Sequence, residues 1–402
     1  MAVFVDAPEP ARYIFCQPPI PFAGYYSMTR KNDTGSTPGA DKVTTDLKAL
    51  RVQIDKLDLQ ILDVLNKRAA VAARIGKVKA DQGGEVFSAA REEEVLNNIV
   101  AANKGPLEEV TLRAIFRELI SGSRAMQKVQ KIAFLGPEYS YSHLAALERF
   151  GEAMSYLRTG NIAAVFEEVA RRHADYGVVP LENSTDGRIT DTLDMFIRMP
   201  QVKVCAEVRL RVRHHLLANC EQTEIRRVYS KAQALSQCRN WLSKNLPHAS
   251  LHEVSSTAHA ASLVLSEPNV AAVAGRQAAV RYGIRVLYHN IEDSPFNETR
   301  FAVIGPSDSA KTGNDKTALM FQTSNSPGAL ADSLQVFKVN KINLTWVESF
   351  PYREAKGEYV FFLEMEGHRD DPKVRKALAG LEAVCDEVSV LGSFPAAKAA
   401  EE

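Results

Sequence analysis

The chain has 402 residues, too many for one ordinary hydrophobic core, and a length of this order implies about two to four domains. Its 49 basic and 49 acidic residues cancel, so no general field draws it to nucleic acid or to an anionic membrane, and any anion site has to be local. No apolar run approaches the roughly 18 residues of a membrane span, and Cys16, Cys205, Cys220, Cys238 and Cys385 are scattered and never in C-x-x-C spacing, which argues against a disulfide framework or a zinc site and fits a reducing cytoplasm.

Residues 1–42 hold Pro8, Pro10, Pro18, Pro19 and Pro21, then Gly35 to Gly39. Such a composition cannot bury enough apolar area to order itself, so a disordered leader is expected. Asp6, Glu9 and the prolines rule out a signal peptide, and Met28 is a candidate start. From Leu47 the apolar positions Leu50, Ile54, Leu57, Ile61, Val64, Val71, Ile75 and Val78 alternate three and four apart, which predicts one long helix with a coiled-coil seam. Gly83-Gly84 ends it. Arg91 to Asn103 reads as a second helix with Val95, Leu96, Ile99 and Val100 inside, and Leu107 to about Lys128 as a third, burying Leu112, Phe116, Leu119 and Ser123. Residues 43–130 therefore form an all-α unit of three helices.

At Lys131 the pattern changes. Ile132 to Leu135 is a short buried strand, and helical stretches then alternate with strands such as Tyr176 to Val179 and Val270 to Ala274, implying an α/β layer fold over 131–306. Residues 307–315 read as a linker. Residues 316–393 read strand, helix, strand, strand, helix, strand, a βαββαβ unit of α+β type, with a disordered tail at 394–402. No fixed-period repeat and no phosphate-cradling glycine motif occurs, so neither nucleotide nor dinucleotide is implied. His248 and His252 stand four apart beside Pro247 without an H-E-x-x-H context, which argues against a metal; His214-His215 reads as a strand-edge pair.

Arg68 stands on the helical seam where an apolar residue is expected. A guanidinium there costs several kcal/mol unless an anion meets it, either a ligand or an acid from another helix. Lys79 lies about 20° round the helix and roughly 16 Å along it, so both can reach one ligand. Arg51 is about 100° off that face and roughly 25 Å away, and can join them only from a second copy packed antiparallel, which predicts a dimer. These residues resemble the all-helical chorismate mutase family over residues 43–130. The resemblance implies an intertwined dimer and a site made of Arg51, Arg68, Lys79, Arg91, Glu92, Ser123 and Gln127. The rearrangement of chorismate needs no nucleophile, so cations would clamp the carboxylates, Lys79 and Gln127 would bond the ether oxygen, and Glu92 the ring hydroxyl. Orientation alone can supply up to roughly 7 to 11 kcal/mol. Many relatives carry an acid where Ser88 stands.

Phe134-Leu135-Gly136-Pro137 with Ser140-Tyr141-Ser142-His143, Val179 to Ser184, Val228-Tyr229-Ser230 with Gln233 and Gln237, and Asn297-Glu298-Thr299-Arg300-Phe301 resemble, in this order, prephenate dehydratase over residues 131–306. A two-lobed α/β domain is implied. Thr299 would contact the leaving hydroxyl as a hydrogen-bond donor, with Asn183, Ser184, Ser230 and Gln237 lining the cleft and Arg300 holding or ordering a carboxylate. Ser140 and Ser142 would meet a carboxylate at a helix N-terminus or simply cap the turn, and Phe301 belongs to the motif as cleft wall or as packing. Tyr139 and Lys231-Ala232 depart from the family's usual glycine and histidine-proline.

Residues 316–393 look like an ACT domain, a fold that binds small amino acids at subunit interfaces. By that resemblance Gly328, Ala329 and Leu330 at a helix start, with Glu348 and Ser349 on the facing strand, would bind L-phenylalanine as end-product effector; Phe350 stands where relatives carry arginine. The alternative is a structural dimerisation module. Together these expectations describe a bifunctional enzyme making and consuming prephenate, dimeric or larger, with no cofactor and no metal. Two rivals stay open: a dehydratase whose helices only dimerise, and a non-catalytic carboxylate sensor.

Overall fold

The computed structural model describes residues 40–82, 86–185, 187–351 and 359–397. Residues 1–39 of the expected leader, with Met28 and Cys16, and Gly83-Gly84 lie outside the described residues, while residues 40–42 begin the first helix rather than ending a leader. The first helix, α1 (Ala40–Gln82), spans 43 residues. The chain divides into two units after Leu65, and each is taken by itself. In the first, Leu50, Ile54, Leu57, Ile61 and Val64 keep their spacing but are more than half exposed. The seam is therefore apolar yet not covered by the described residues, contrary to a buried position for its residues. Arg51 is exposed on the same helix.

In the second unit, α2 (Ala89–Ala102) starts at Ser88, whose side chain accepts from Arg91 N. This is the ordinary N-cap bond, satisfying one orphan amide. It is followed by α3 (Glu109–Ala125), which buries Leu112, Ile120, Ser121 and Arg124. Phe116, Leu119 and Ser123 are only half-buried, correcting the expected inner face. So are Val95, Leu96, Ile99 and Val100 of α2, where the fully buried residues are Ala89, Ala90 and Glu92.

Then come β1 (Lys131–Leu135), α4 (Tyr141–Phe150), β2 (Ser155–Thr159), α5 (Ile162–Ala170), β3 (Tyr176–Asn183), β4 (Gly187–Arg188), α6 (Thr190–Arg198) and β5 (Lys203–Arg211). The chain leaves for a second lobe made of β6 (His215–Ala218), β7 (Arg227–Ser230), α7 (Ala232–Gln237), α8 (Arg239–Asn245), β8 (Ser250–Glu253), α9 (Thr257–Ser266), β9 (Val270–Ala274), α10 (Arg276–Tyr282) and β10 (Val286–Tyr288). It returns to the first lobe as β11 (Glu298–Gly305). The first sheet runs β2-β1-β3-β11-β5 with β4 hydrogen-bonded to β3, and the second runs β10-β6-β9-β7-β8. Because β11 is antiparallel between β3 and β5, its side chains alternate between two cores. Phe301 and Val303 pack with Phe134, Ala145 and Phe150, whereas Ala302 and Ile304 pack with Val165, Phe166 and Leu193.

The last block is β12 (Asp315–Gln322), α11 (Ala329–Val339), β13 (Leu344–Pro351), β14 (Tyr359–Glu366), α12 (Pro372–Glu382) and β15 (Glu387–Pro395), an antiparallel sheet in the order β13-β14-β12-β15. Its last strand runs to Pro395, past the expected end at residue 393. One face carries both helices over Leu319, Phe321, Leu363 and Met365. The other face, with Met320, Val360, Phe362 and Phe394, shares a core with the first lobe. Gly392 has φ 151°, and a Cβ there would lie 2.2 Å from the carbonyl oxygen of Val204 on β5.

Candidate active site

Two groups of polar side chains stand out, one on the helices and one where the two lobes join. In the first, Arg68 Nη1 donates to Ser123 Oγ at 2.6 Å and to Leu119 O at 3.3 Å. Gln127 Nε2 donates to Ser123 O at 3.3 Å, and its Oε1 is buried with no hydrogen-bond partner among the described residues. Gly76 makes this approach possible: a Cβ on it would sit 2.4 Å from Gln127 Cγ. Lys79 follows on α1, its Nζ 3.4 Å from Val86 O. The structure thus brings Arg68, Ser123 and Gln127 into one bonded group. Arg91 and Glu92 are not part of it. Arg91 is exposed and pairs with Glu94 at 2.7 Å, and Glu92 turns to Arg124 at 3.1 Å and to Arg149 of α4 at 3.6 Å. Successive residues on a helix face about 100° apart, and α2 gives its Glu92 face to the α/β lobe.

The second group is a directed chain of hydrogen bonds. The Thr185 amide donates to Asn183 Oδ1 at 3.0 Å. A backbone N–H has only one role, so this bond fixes which end of the Asn183 amide is which. Asn183 Nδ2 must then be the donor to Thr299 Oγ1 at 2.7 Å and to Asn297 Oδ1 at 3.1 Å. Asn297 Nδ2 in turn donates to Gln237 Oε1 at 2.9 Å. The same Oε1 lies 2.8 Å from His214 Nε2, which therefore carries the proton. His214 is buried, and burial lowers its pKa, keeping the ring neutral. Thr299 spends an acceptor lone pair on Asn183 and keeps its own hydrogen for another partner. Asn183, Asn297, Thr299 and His214 are all buried, so this polarity is protected from water.

Asn297 and His214 join the chain without a place among the residues expected from sequence. Asn297 is two positions before Thr299, on the same face of an extended chain, a signal present in the pentapeptide itself. His214 lies just before β6 and closes the chain, rather than standing with His215 as a strand-edge pair.

Several expected site residues fall elsewhere. Arg300 points to the opposite face from Thr299, since consecutive strand residues alternate. Its guanidinium meets Glu182 at 2.9 Å, Glu207 at 3.0 Å and both oxygens of Glu364 at 2.7 Å, and Lys316 bonds Glu207 at 2.9 Å. Burial alone would lower its pKa, but Glu364 and Glu207 more than offset that. Within the cluster burial pushes the Glu364 carboxyl up; the same penalty on Glu207 is overcome by Lys316 and Arg300, which hold it low. Arg300 is an ion-pair hub between β11 and β14, not a substrate clamp. Phe301 is 2% exposed and packs in the core. Ser230 is fully buried, donating to Val273 O at 2.6 Å. Ser184 clamps strand ends, donating to Phe296 O and accepting from Glu298 N. Ser140 caps α4 and donates to Leu135 O, and Ser142 is buried behind it. Tyr139 has φ 64°, a left-handed conformation in which its N–H donates to His143 Nδ1 at 3.1 Å. Tyr141 Oη donates to Arg213 O at 2.7 Å and accepts from Arg213 N, and burial raises its pKa.

In the last block Gly328, in a left-handed conformation, precedes α11, followed by Ala329 and Leu330. Glu348 is not an open ligand group: it ion-pairs with Arg188 of β4, which also donates to Ser349 O at 3.0 Å. Phe350 is buried, edge-on to Phe362.

Residues 132–309 match the prephenate dehydratase family, and residues 50–128 match chorismate mutase type II. A bifunctional chorismate mutase/prephenate dehydratase of Aquifex aeolicus is 42% identical over 357 residues, 88% of this chain and 98% of that protein. One of Stutzerimonas stutzeri is 42% identical over 360 residues, covering 87% and 98%. Among solved structures, a prephenate dehydratase of Arthrobacter aurescens in complex with L-Phe aligns with TM-score 0.62 and 31% identity over 66% of this chain and 90% of that one. With near-complete coverage of bifunctional relatives and both catalytic families matched in order, the chain belongs to the bifunctional chorismate mutase/prephenate dehydratases and carries both activities in phenylalanine biosynthesis.

Proposed function

We propose that Thr299 donates the hydrogen bond that helps hydroxide leave prephenate, and that Asn183, Asn297, Gln237 and His214 hold its hydroxyl in that direction. Loss of carbon dioxide and water makes an aromatic ring, so the enzyme has only to bind the diacid and stabilise the departing oxygen. The observation that carries this reading is the Asn183-to-Thr299 bond, whose direction is set by the Thr185 amide. Thr299→Ala should cut dehydration by about 10²- to 10³-fold, the cost of one such donor, with mutase turnover unchanged. Dehydration near the wild-type rate in a folded variant would remove Thr299 from the mechanism.

For the rearrangement, Arg68, Lys79, Ser123 and Gln127 form the cationic and hydrogen-bonding wall for chorismate, with the unsatisfied Gln127 amide available to the ligand. Arg51 completes the site from a second copy, giving an intertwined homodimer; the uncovered apolar row of α1 supports that assembly. Arg68→Ala should abolish prephenate formation and leave dehydration of supplied prephenate intact. Parallel loss of both activities would contradict separate sites.

The βαββαβ block is an ACT-type regulatory domain responding to L-phenylalanine, with Gly328, Ala329 and Leu330 at the α11 start as the carboxylate end of the site. The Arthrobacter aurescens complex with L-Phe supports this reading. The enzyme works in the cytoplasm. L-phenylalanine at millimolar concentration should shift thermal stability and lower the dehydratase rate; neither effect would leave the block a purely structural module.

A further inference from the structure

Arg124 and Arg149 share one carboxylate. Arg124 is 3% exposed; its Nη2 donates to Phe150 O at 2.6 Å and its Nη1 lies 3.1 Å from Glu92 Oε1. Arg149 brings Nη2 to 3.6 Å from Glu92 Oε2, and both guanidiniums lie against the Phe87 ring, 5.4 and 4.9 Å from its centroid. Two cations facing one anion leave a positive charge over. Among the described residues Arg124 Nε and Nη1 and Arg149 Nε find no hydrogen-bond acceptor, and a buried charge without a counterpart costs several kcal/mol.

These residues line a cleft of about 540 Å³ bounded by α2, α3, α4, the edge strand β5 and residues 395–397. That volume falls in the range of small-ligand sites. The other charged groups of its wall are matched elsewhere: Arg113 pairs with Glu93 and Glu109, Arg117 with Glu148, Arg209 with Glu298 and Arg213 with Glu292, Arg211 is engaged as well, and Glu207 belongs to Arg300 and Lys316. The surplus charge is therefore local to Arg124 and Arg149, while Leu96, Ala114, Ile120, Val208 and Leu210 give the cleft an apolar wall. Neither Arg68, Ser123 and Gln127 nor Asn183 and Thr299 line it.

We propose that this cleft is a third ligand site, for a small monocarboxylate carrying an apolar ring, with the carboxylate on Arg124 and Arg149 and the ring against Ile120, Val208 and Leu210. One surplus charge matches one carboxylate, and a diacid would bring a second, unmatched one. Phenylpyruvate, which the enzyme itself makes, has this chemistry. The test is equilibrium dialysis of the full chain with labelled 3-phenylpropionate, a stable probe, in the presence of saturating prephenate with Thr299→Ala as the common background. One site per chain should remain under those conditions. Arg149→Met and, separately, Ala114→Trp should each weaken it at least tenfold, while dehydratase kcat/KM, measured with Thr299 restored, stays within twofold. Circular dichroism checks the fold, and if Arg149→Met unfolds, Ala114→Trp decides. No prephenate-resistant binding, or undiminished binding in the folded variants, overturns the proposal.

Discussion

Thr299 and Arg300 are neighbours on β11 that serve opposite sides of one sheet: the Thr299 hydroxyl lies 2.7 Å from the Asn183 amide nitrogen, and the Arg300 guanidinium 2.7 Å from the Glu364 carboxylate. The hydroxyl proposed to act in dehydration and the ion pairs that attach the C-terminal sheet thereby stand side by side on one strand.

Replacing Asn183 by aspartate tests the direction of the Thr299 hydroxyl. An ionised carboxylate at that position cannot donate, so Thr299 turns its own hydrogen onto it and loses that hydrogen for the substrate. Asn183→Asp should fall about as far as Thr299→Ala, roughly 10²-fold or more in dehydratase kcat, with chorismate rearrangement unaffected. Steady-state assays of the two half-reactions check this; a variant within about threefold of wild type refutes the assigned polarity.

Arg300→Met leaves Glu207 and Glu364 with Lys316 alone and takes from Glu182 the guanidinium it bonds. Removing one partner of a buried ion pair costs about 3–5 kcal/mol, so the urea midpoint should drop accordingly. Adding Glu364→Met should recover part of the loss, which a substrate-binding role for Arg300 would not predict.

Gly76→Ala places a methyl group where Gln127 Cγ now lies. Helix propensity alone would favour alanine by about 1 kcal/mol, so stability is not expected to suffer from the backbone. Displacing Gln127 by about an ångström should lower mutase kcat about 10- to 100-fold and spare dehydration. Equal mutase activity would show that Gln127 is not positioned by this contact.

His215 provides a pH signature. Its Nδ1 accepts from the Asn290 amide at 3.1 Å, and burial first, then His289, push its pKa down to about 4. The folded state therefore holds the neutral ring, whereas the unfolded chain protonates near the ordinary value of about 6.5. This contribution is complete above about pH 6.5, shrinks as pH falls toward 4, and amounts to something on the order of 2 kcal/mol. Denaturation midpoints between pH 7 and 4 should fall less steeply in His215→Gln; identical slopes would exclude the assignment.

Arg188→Ala cuts the link from Glu348 and Ser349 to β4, which is paired with Asn183 on β3. Basal dehydration should stay within twofold, while the L-phenylalanine inhibition constant shifts about fivefold or more, the lower end of ordinary coupling between sites. An unchanged inhibition curve means this contact does not carry the effector's signal.

What could be read without coordinates was decided by period. The three-and-four spacing from Leu50 to Val78 is enough to recognise α1, and Asn183, Gln237 and Thr299, named from their motifs, meet in one bonded chain. Period 2 also forbids Thr299 and Arg300 from entering one cleft, an inference the pentapeptide already contained. Other features could not be read. Nothing local to Glu92 says that its face of α2 meets Arg149 rather than Arg68, because that depends on which surfaces two distant segments bury together. The partner of Arg300, 64 residues away on β14, is equally invisible in a motif.

Gly392 gives the last strand a role beyond its own sheet. With the Val204 carbonyl pressed where a side chain would begin, any other amino acid there must wedge the C-terminal sheet off the edge of the catalytic lobe. The C-terminal block is thus no detachable cassette: exchange of this block between relatives should succeed only where the donor keeps a bare backbone at that seat.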